Sequence, residues 1–239
     1  PPLTMMALAG ALTVSPRVVE WVAEVGGIVC YATAWHAGVP IPAIEQSRCP
    51  SPSIVAAASR ELCGELHVLH RRGLAHGMIV PDTLTFAADE RRFILEGTGV
   101  MTALRLCGVA PASVYAACGN DTYAAPELGD ETSPASVDMR ADMFGLGGTL
   151  YELLTGCPPF GGRTTATVMA TVLLDPRSTE SASPESAALT DVILRCLEKD
   201  PADRWPDFAA LGDALHQLWN RQVVGGAGSL GGQQGLDEG

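Results

Sequence analysis

"ADMFGLGGTLYELLTG", residues 141–156, is apolar on almost every side of a helical projection. A surface helix keeps one polar face; a helix without one belongs in the middle of a domain. The stretch therefore predicts a central, buried helix. Gly156 stops it, and Pro158 and Pro159 confirm the stop. Gly147 and Gly148 lie inside the run, so they read as a close contact with another helix and not as a phosphate loop. Two amphipathic helices follow. One spans 186–198 with Leu189, Ile193 and Leu197 in line, and the other spans about 206–219 with Phe208, Leu211, Leu215 and Leu218 in line. Upstream, Ser53 reads as the cap of a helix whose buried face is Val55, Ala58, Leu62, Leu66 and Leu69, with Gly73 ending it.

The first part of the chain has a different period. "RVVEWVAEVGG" (17–27) and "IVCYATAW" (28–35) are apolar, β-branched runs joined by Gly26-Gly27, which predicts a hairpin. Residues 1–12 are weakly helix-like, and 37–52, with three prolines, suit a connector. "LTF" and "RRFILE" read as two short strands around a turn at Asp89-Glu90. Residues 97–137 read as one long irregular segment, a length that in a compact domain signals function or mobility. The Gly-rich stretch over 224–239 reads as a disordered tail or linker. No internal repeat is found.

The 239 residues, 47% hydrophobic, suffice for one sizeable core and a small appended lobe. Fifteen Lys+Arg against 27 Asp+Glu give a formal charge of −12. With no basic cluster longer than a pair, nucleic acid and anionic membrane surfaces are excluded as natural partners. No apolar run approaches the ~18 residues of a membrane span, and no signal peptide is visible. Seven cysteines without a C-x-x-C pair read as reduced thiols of a cytoplasmic protein.

Several segments match one family in the same order. "HGMIVPDT" (76–83), "LEGTG" (95–99), "YAAPEL" (123–128), "DMRADMFGLGGTLYELLTGCPPF" (138–160) and "LRCLEKDPADRW" (194–205) resemble the landmarks of bacterial, eukaryotic-like Ser/Thr protein kinases. The resemblance covers roughly 15–220. It implies an α+β, protein kinase-like fold: a partial β-containing N-terminal lobe and hinge over 1–50, a mostly helical C-terminal lobe over 51–221, and a tail over 222–239.

Against that family the chemistry is depleted. Where it has H-R-D-x-K-P-x-N, this chain keeps His76 and Pro81 but places Gly77 for Arg, Met78 for the catalytic Asp, Val80 for Lys and Thr83 for Asn. Where it has D-F-G, the chain reads Glu96, Gly97, Thr98. The Asp orients the substrate hydroxyl, and a thioether cannot. The Lys neutralises charge on the transferred phosphoryl, and valine has none. Glu96 retains a hard oxygen for magnesium, on a side chain one methylene longer. Asp82 is weighed as a substitute base and set aside, because that slot faces away in the family. The Gly-rich loop and strand Lys would lie before residue 1, which points to a truncated N-terminal lobe. "PPLTMMALAGAL" (1–12) carries no acid to pair with that Lys.

What is retained is structural. The resemblance implies a buried Glu127–Arg204 ion pair, an Asp142 that accepts backbone N–H bonds from the 76–83 loop, and a packed, structural His76 without an acid partner. Thr33, Trp35 and His36 fall at the hinge where adenine would lie. Thr122 is a candidate phosphosite in a long Gly/Ala/Ser loop, its alternative being a locally packed threonine. The expected function is that of a pseudokinase, a regulatory domain that binds protein: an active kinase or a phosphopeptide-reading domain. No cofactor is expected to be resident, and ATP and magnesium would bind weakly. The rival is a divergent Ser/Thr kinase with Glu96 as metal ligand. A third reading is a decayed domain of a larger membrane protein.

Overall fold

The computed structural model describes residues 19–25, 28–33, 38–44, 49–98, 100–106, 108–129, 139–160 and 184–227. The expectations for residues 1–12 and for 228–239 lie outside them. Two strands, β1 (Val19–Val25) and β2 (Ile28–Thr33), pair antiparallel with Val25 opposite Ile28, as the hairpin reading requires. A second sheet has the order β3 (Val39–Pro40), β4 (Leu84–Ala87), β5 (Arg92–Leu95), all antiparallel. Phe86 and Phe93 face each other across β4 and β5 with ring centroids 5.4 Å apart.

Helix α1 (Pro52–Arg71) starts two residues earlier than expected: Ser51 is the N-cap and Pro52 fills the first helical position, where its missing N–H costs nothing. Gly73 ends it at φ +73°. The stretch 97–137 is not irregular throughout, which corrects the sequence expectation. It contains α2 (Val100–Leu106), α3 (Pro111–Ala117) and 3-10 turns at Asp121–Tyr123 and Pro126–Gly129. Helices of two turns hold too few apolar positions to show a period. Met101 and Tyr115 anchor them in the core.

Helix α4 (Met139–Thr155) is the central element, and its buried side chains run almost without a gap from Ala141 to Tyr151. Its glycines are contacts, as read from the sequence. A Cβ on Gly147 would stand 2.7 Å from Cβ of Cys196 on α5 (Pro184–Cys196), and one on Gly145 would stand 2.6 Å from the Ile79 carbonyl oxygen. The helix therefore touches both α5 and the 74–83 loop at backbone distance. The last helix, α6 (Phe208–Ala227), runs past the expected stop near 219. It lies antiparallel along α1, with the Phe208 ring 5.1 Å from His70 and Gly212 facing Cys63.

Cys49, Cys63, Cys118, Cys157 and Cys196 are free thiols. Burial pushes the Cys63 thiol well up and that of Cys196 to about 12, so neither is a nucleophile at neutral pH.

Candidate active site

The loop over 74–83 leaves α1 at Gly73 and enters β4 through a 3-10 turn at Pro81–Thr83. Asp142, in the first turn of α4 and 1% exposed, fixes its course. Its Oδ2 accepts the His76 backbone N–H at 2.7 Å, and its Oδ1 accepts the Gly77 N–H at 2.6 Å. The ring Nε2 of His70, at the end of α1, meets the same Oδ2 at 2.8 Å. One carboxylate thus ties together α1, α4 and the loop. Bonds of this charge-assisted kind are about twice as strong as neutral ones.

His76 does the next task. A carbonyl can only accept, so its Nε2–H donates to the Glu96 carbonyl at 2.9 Å, and Nδ1 is left to accept the Met78 N–H at 3.3 Å. The Glu96 N–H donates to the Thr83 carbonyl at 2.8 Å. Residues 76–83 and Glu96 therefore converge, as the sequence alignment demands. The ring's partners are backbone groups. The nearby Asp142 carboxylate acts on it through space.

Burial lowers the His76 pKa, outweighing the raising effects of Asp142 and the Glu96 carbonyl. A group whose folded pKa lies below its unfolded one contributes stability that is complete above the unfolded value, about 6.5. That stability is lost as pH falls toward and through the folded value. Urea midpoints measured at pH 7.5 and 5.0 should therefore fall on acidification. His76→Gln, which keeps an amide donor, should flatten that step. An unchanged pH dependence in His76→Gln would remove His76 as its source.

The remaining loop side chains turn inward. Val80 is completely buried, and Met78 is partly buried against the same core. The Thr83 hydroxyl accepts the Val80 N–H at 3.0 Å and has the Met78 and Val80 carbonyls at 3.0 Å each for its single proton. It is committed to holding the loop. Asp82 is exposed, and Glu96 is half-buried. Among the described residues no group of three or more His, Cys, Asp or Glu side chains is placed to hold a metal ion. With the Thr83 hydroxyl committed to the loop backbone, Glu96 is the carboxylate left at the aligned magnesium positions. Thr33 ends β2, opposite Val19; Trp35 and His36 lie outside the described residues.

Arg204, 1% exposed, holds the other side of the lobe. Its Nη1 and Nη2 fork onto Glu127 Oε1 and Oε2 at 2.7 and 2.9 Å. Nη1 also donates to the Arg140 carbonyl at 2.8 Å, Nη2 to Lys199 at 3.3 Å, and Nε to Glu198 at 2.8 Å. The guanidinium has five N–H donors, and each has an acceptor. Its carbon stands 5.0 Å from the Phe144 ring centre, and Phe144 itself stacks on Phe160. Thr122 is fully buried, Tyr123 likewise, and the Tyr123 hydroxyl donates to Glu152. No local pattern of residues announces that bond, because 29 positions separate the partners.

A family model described as protein kinase domain matches residues 42–219. The chain belongs to that family. It is 31% identical, over 74% of its length, to serine/threonine-protein kinase Pkn1 of Myxococcus xanthus. It is 30% identical, over 67% of its length, to serine/threonine-protein kinase PknB of Mycobacterium tuberculosis. The match spans only 26% and 25% of those two proteins. The crystallised kinase domain of PknI from M. tuberculosis superposes with a TM-score of 0.63 at 25% identity, covering 88% of this chain and 76% of that one. The protein kinase fold and the similarity to bacterial Ser/Thr kinases are thereby shown.

The sequence reading missed His70. It stands six residues before the loop's own histidine and packs beside Phe208. Its Nδ1 is buried without a hydrogen-bond partner. No helix among the described residues is long and apolar enough to cross a membrane.

Proposed function

We propose that this kinase domain works as a pseudokinase: a regulatory, protein-binding module that does not transfer phosphate. The observation behind this reading is the fate of the four aligned positions. Val80 sits in the core, Met78 packs on it, the Thr83 hydroxyl holds the loop backbone, and Glu96 is the one acidic side chain among the four. None of the first three can accept a proton or neutralise a phosphoryl group at neutral pH. Losing even one such group costs orders of magnitude in rate, tenfold for each ~1.4 kcal/mol of barrier. The scaffold around them is meanwhile fully bonded through Asp142, His76 and Arg204. A preserved shape with inert contents serves recognition, and its partner is a protein: an active kinase or a phosphopeptide-reading domain.

Thr122 is retained as the candidate phosphosite only with a condition. A threonine 0% exposed reaches another kinase after the 121–123 turn opens. Phosphate, nearly two charges, would then hold that turn open.

The test is thermal unfolding with and without ATP and magnesium, beside incorporation of labelled phosphate into a protein acceptor. A ligand that binds only the folded chain raises stability by RT ln(1 + [L]/Kd). We expect a shift below about 1 °C at millimolar ATP, which corresponds to a small fraction of a kcal/mol, and no incorporation above a heat-treated control. The similarity to Ser/Thr kinases favours one rival, a divergent enzyme using Glu96. Incorporation that disappears in Glu96→Ala would establish that rival and overturn the proposal.

A further inference from the structure

His70 and His76 both meet Asp142, yet the two rings are held differently. Both nitrogens of His76 are bonded, Nε2 to the Glu96 carbonyl and Nδ1 to the Met78 N–H. His70 has one polar anchor. A carboxylate only accepts, so the His70 Nε2–H donates to Asp142 Oδ2 at 2.8 Å. Its Nδ1 is buried and has no partner. Buried polar atoms are nearly always satisfied, and this exception leaves the ring with a hydrogen bond on one edge only. A ring bonded at two edges is pinned. A ring bonded at one edge turns about that bond unless packing stops it. The ring packed against His70 is Phe208, with centroids 5.1 Å apart and planes tilted by 48°.

Phe208 is 1% exposed and opens α6. The helix start sets its position: Asp207 Oδ1 accepts the Ala210 N–H at 2.8 Å, and the Asp207 carbonyl accepts the Leu211 N–H at 3.3 Å. Pro206 and Ala209, on either side, are exposed. The first turn of α6 therefore reaches from the surface to the His70 ring.

The other end of the chain of contacts is the loop. Asp142 Oδ2 is shared by the His70 ring and the His76 N–H, and Oδ1 takes the Gly77 N–H. Gly77 stands at φ +79°. Glycine enters that region without steric cost and leaves it as readily. Bonds to Asp142, and not side-chain sterics, hold the loop there.

We propose that the first turn of α6 controls the 76–83 loop through His70. With Phe208 seated, the His70 Nε2–H stays on Asp142, and the carboxylate keeps both loop N–H groups. When that turn shifts, the His70 ring rotates, Asp142 loses one of its three donors, and Gly77 is released. The coupling is reciprocal, so whatever fixes the loop also steadies the start of α6. His70 is a positioning residue that acts through Asp142. The link holds whether or not the domain transfers phosphate, so its failure and that of the pseudokinase reading are separate results.

Amide hydrogen exchange of the ¹⁵N-labelled full chain reads this link. Gly77 reports the loop, Leu150 in the middle of α4 reports global opening, and the ratio of their rates is the measured quantity. His70→Leu removes the donor and should raise that ratio about tenfold. His70→Gln keeps an N–H at similar reach and should bring it back to within about threefold of the unmodified chain. Phe208→Leu removes the facing ring and should raise the ratio about fivefold, but add nothing in the His70→Leu background, because coupled residues are not additive. Phe208→Met takes its place in the same comparison if the leucine variant does not fold. An unchanged ratio in His70→Leu, no recovery with His70→Gln, or an equal effect of the Phe208 substitution in both backgrounds refutes the link.

Discussion

Arg204→Ala is expected to lower the unfolding free energy by about 3–5 kcal/mol, the usual cost of breaking a buried charge pair from one side. The urea midpoint should move accordingly, and the melting temperature should fall by roughly 6–20 °C at ~2–4 °C per kcal/mol for a chain of this size. The substitution leaves the Glu127 carboxylate, 23% exposed, without its fork. It also orphans the carbonyls of Arg140, Glu198 and Lys199. Arg204→Lys is informative beside it. The charge survives, but an ammonium is a point donor and cannot reach acceptors spread around a planar fork. It should recover less than half of the loss. A drop under about 1 kcal/mol for Arg204→Ala would put this residue at the level of an exposed ion pair and refute its assigned place in the core.

Asp142→Asn is expected to cost about 2–4 kcal/mol and to release the loop. The substitution is nearly isosteric, so packing is not the issue. The carboxylate receives three donors: the His76 and Gly77 N–H groups and the His70 ring. An amide offers one acceptor oxygen and turns an NH₂ toward groups that also donate. At least one buried donor loses its partner, at ~1–3 kcal/mol each, and charge assistance goes as well. Faster hydrogen exchange at Gly77 should accompany the loss. Unaltered exchange with a loss below ~1 kcal/mol would show that the loop is shaped by something other than this carboxylate. Both substitutions act on shape, so they should weaken any protein partner of a pseudokinase as strongly as they would an enzyme.

The central helix was legible because it has no polar face, and its glycines because an apolar helix needs small residues where it is approached closely. The helices over 184–196 and from 208 were legible from leucine spacing. Two-turn helices at 100–106 and 111–117 were not, although Pro111 at a first helical position was a usable sign. The end of α6 was misjudged because Gly-rich composition suggested a stop while the helix continues to Ala227. Of the candidate site, the identities at 78, 80, 83 and 96 could be read by alignment. Their directions could not. The Thr83 hydroxyl's bonds to Met78 and Val80 are local but need the loop's turn to form, and the enclosure of Val80 depends on elements far apart in the chain.

The amino-acid order alone determined which chemistry is available: no acid at 78, no cation at 80, no amide at 83. It also determined the family, because motif order survives substitution at individual sites. Tertiary structure decided how the remaining polar groups are used. Asp142 meets a loop some 65 residues earlier, Arg204 meets a carboxylate 77 residues earlier, and α1 and α6 face each other across two glycines. The reason is physical. Residue type and local spacing fix what a side chain can donate, accept or bury, whereas its partner is chosen when distant segments pack into one core and leave few buried polar groups unsatisfied.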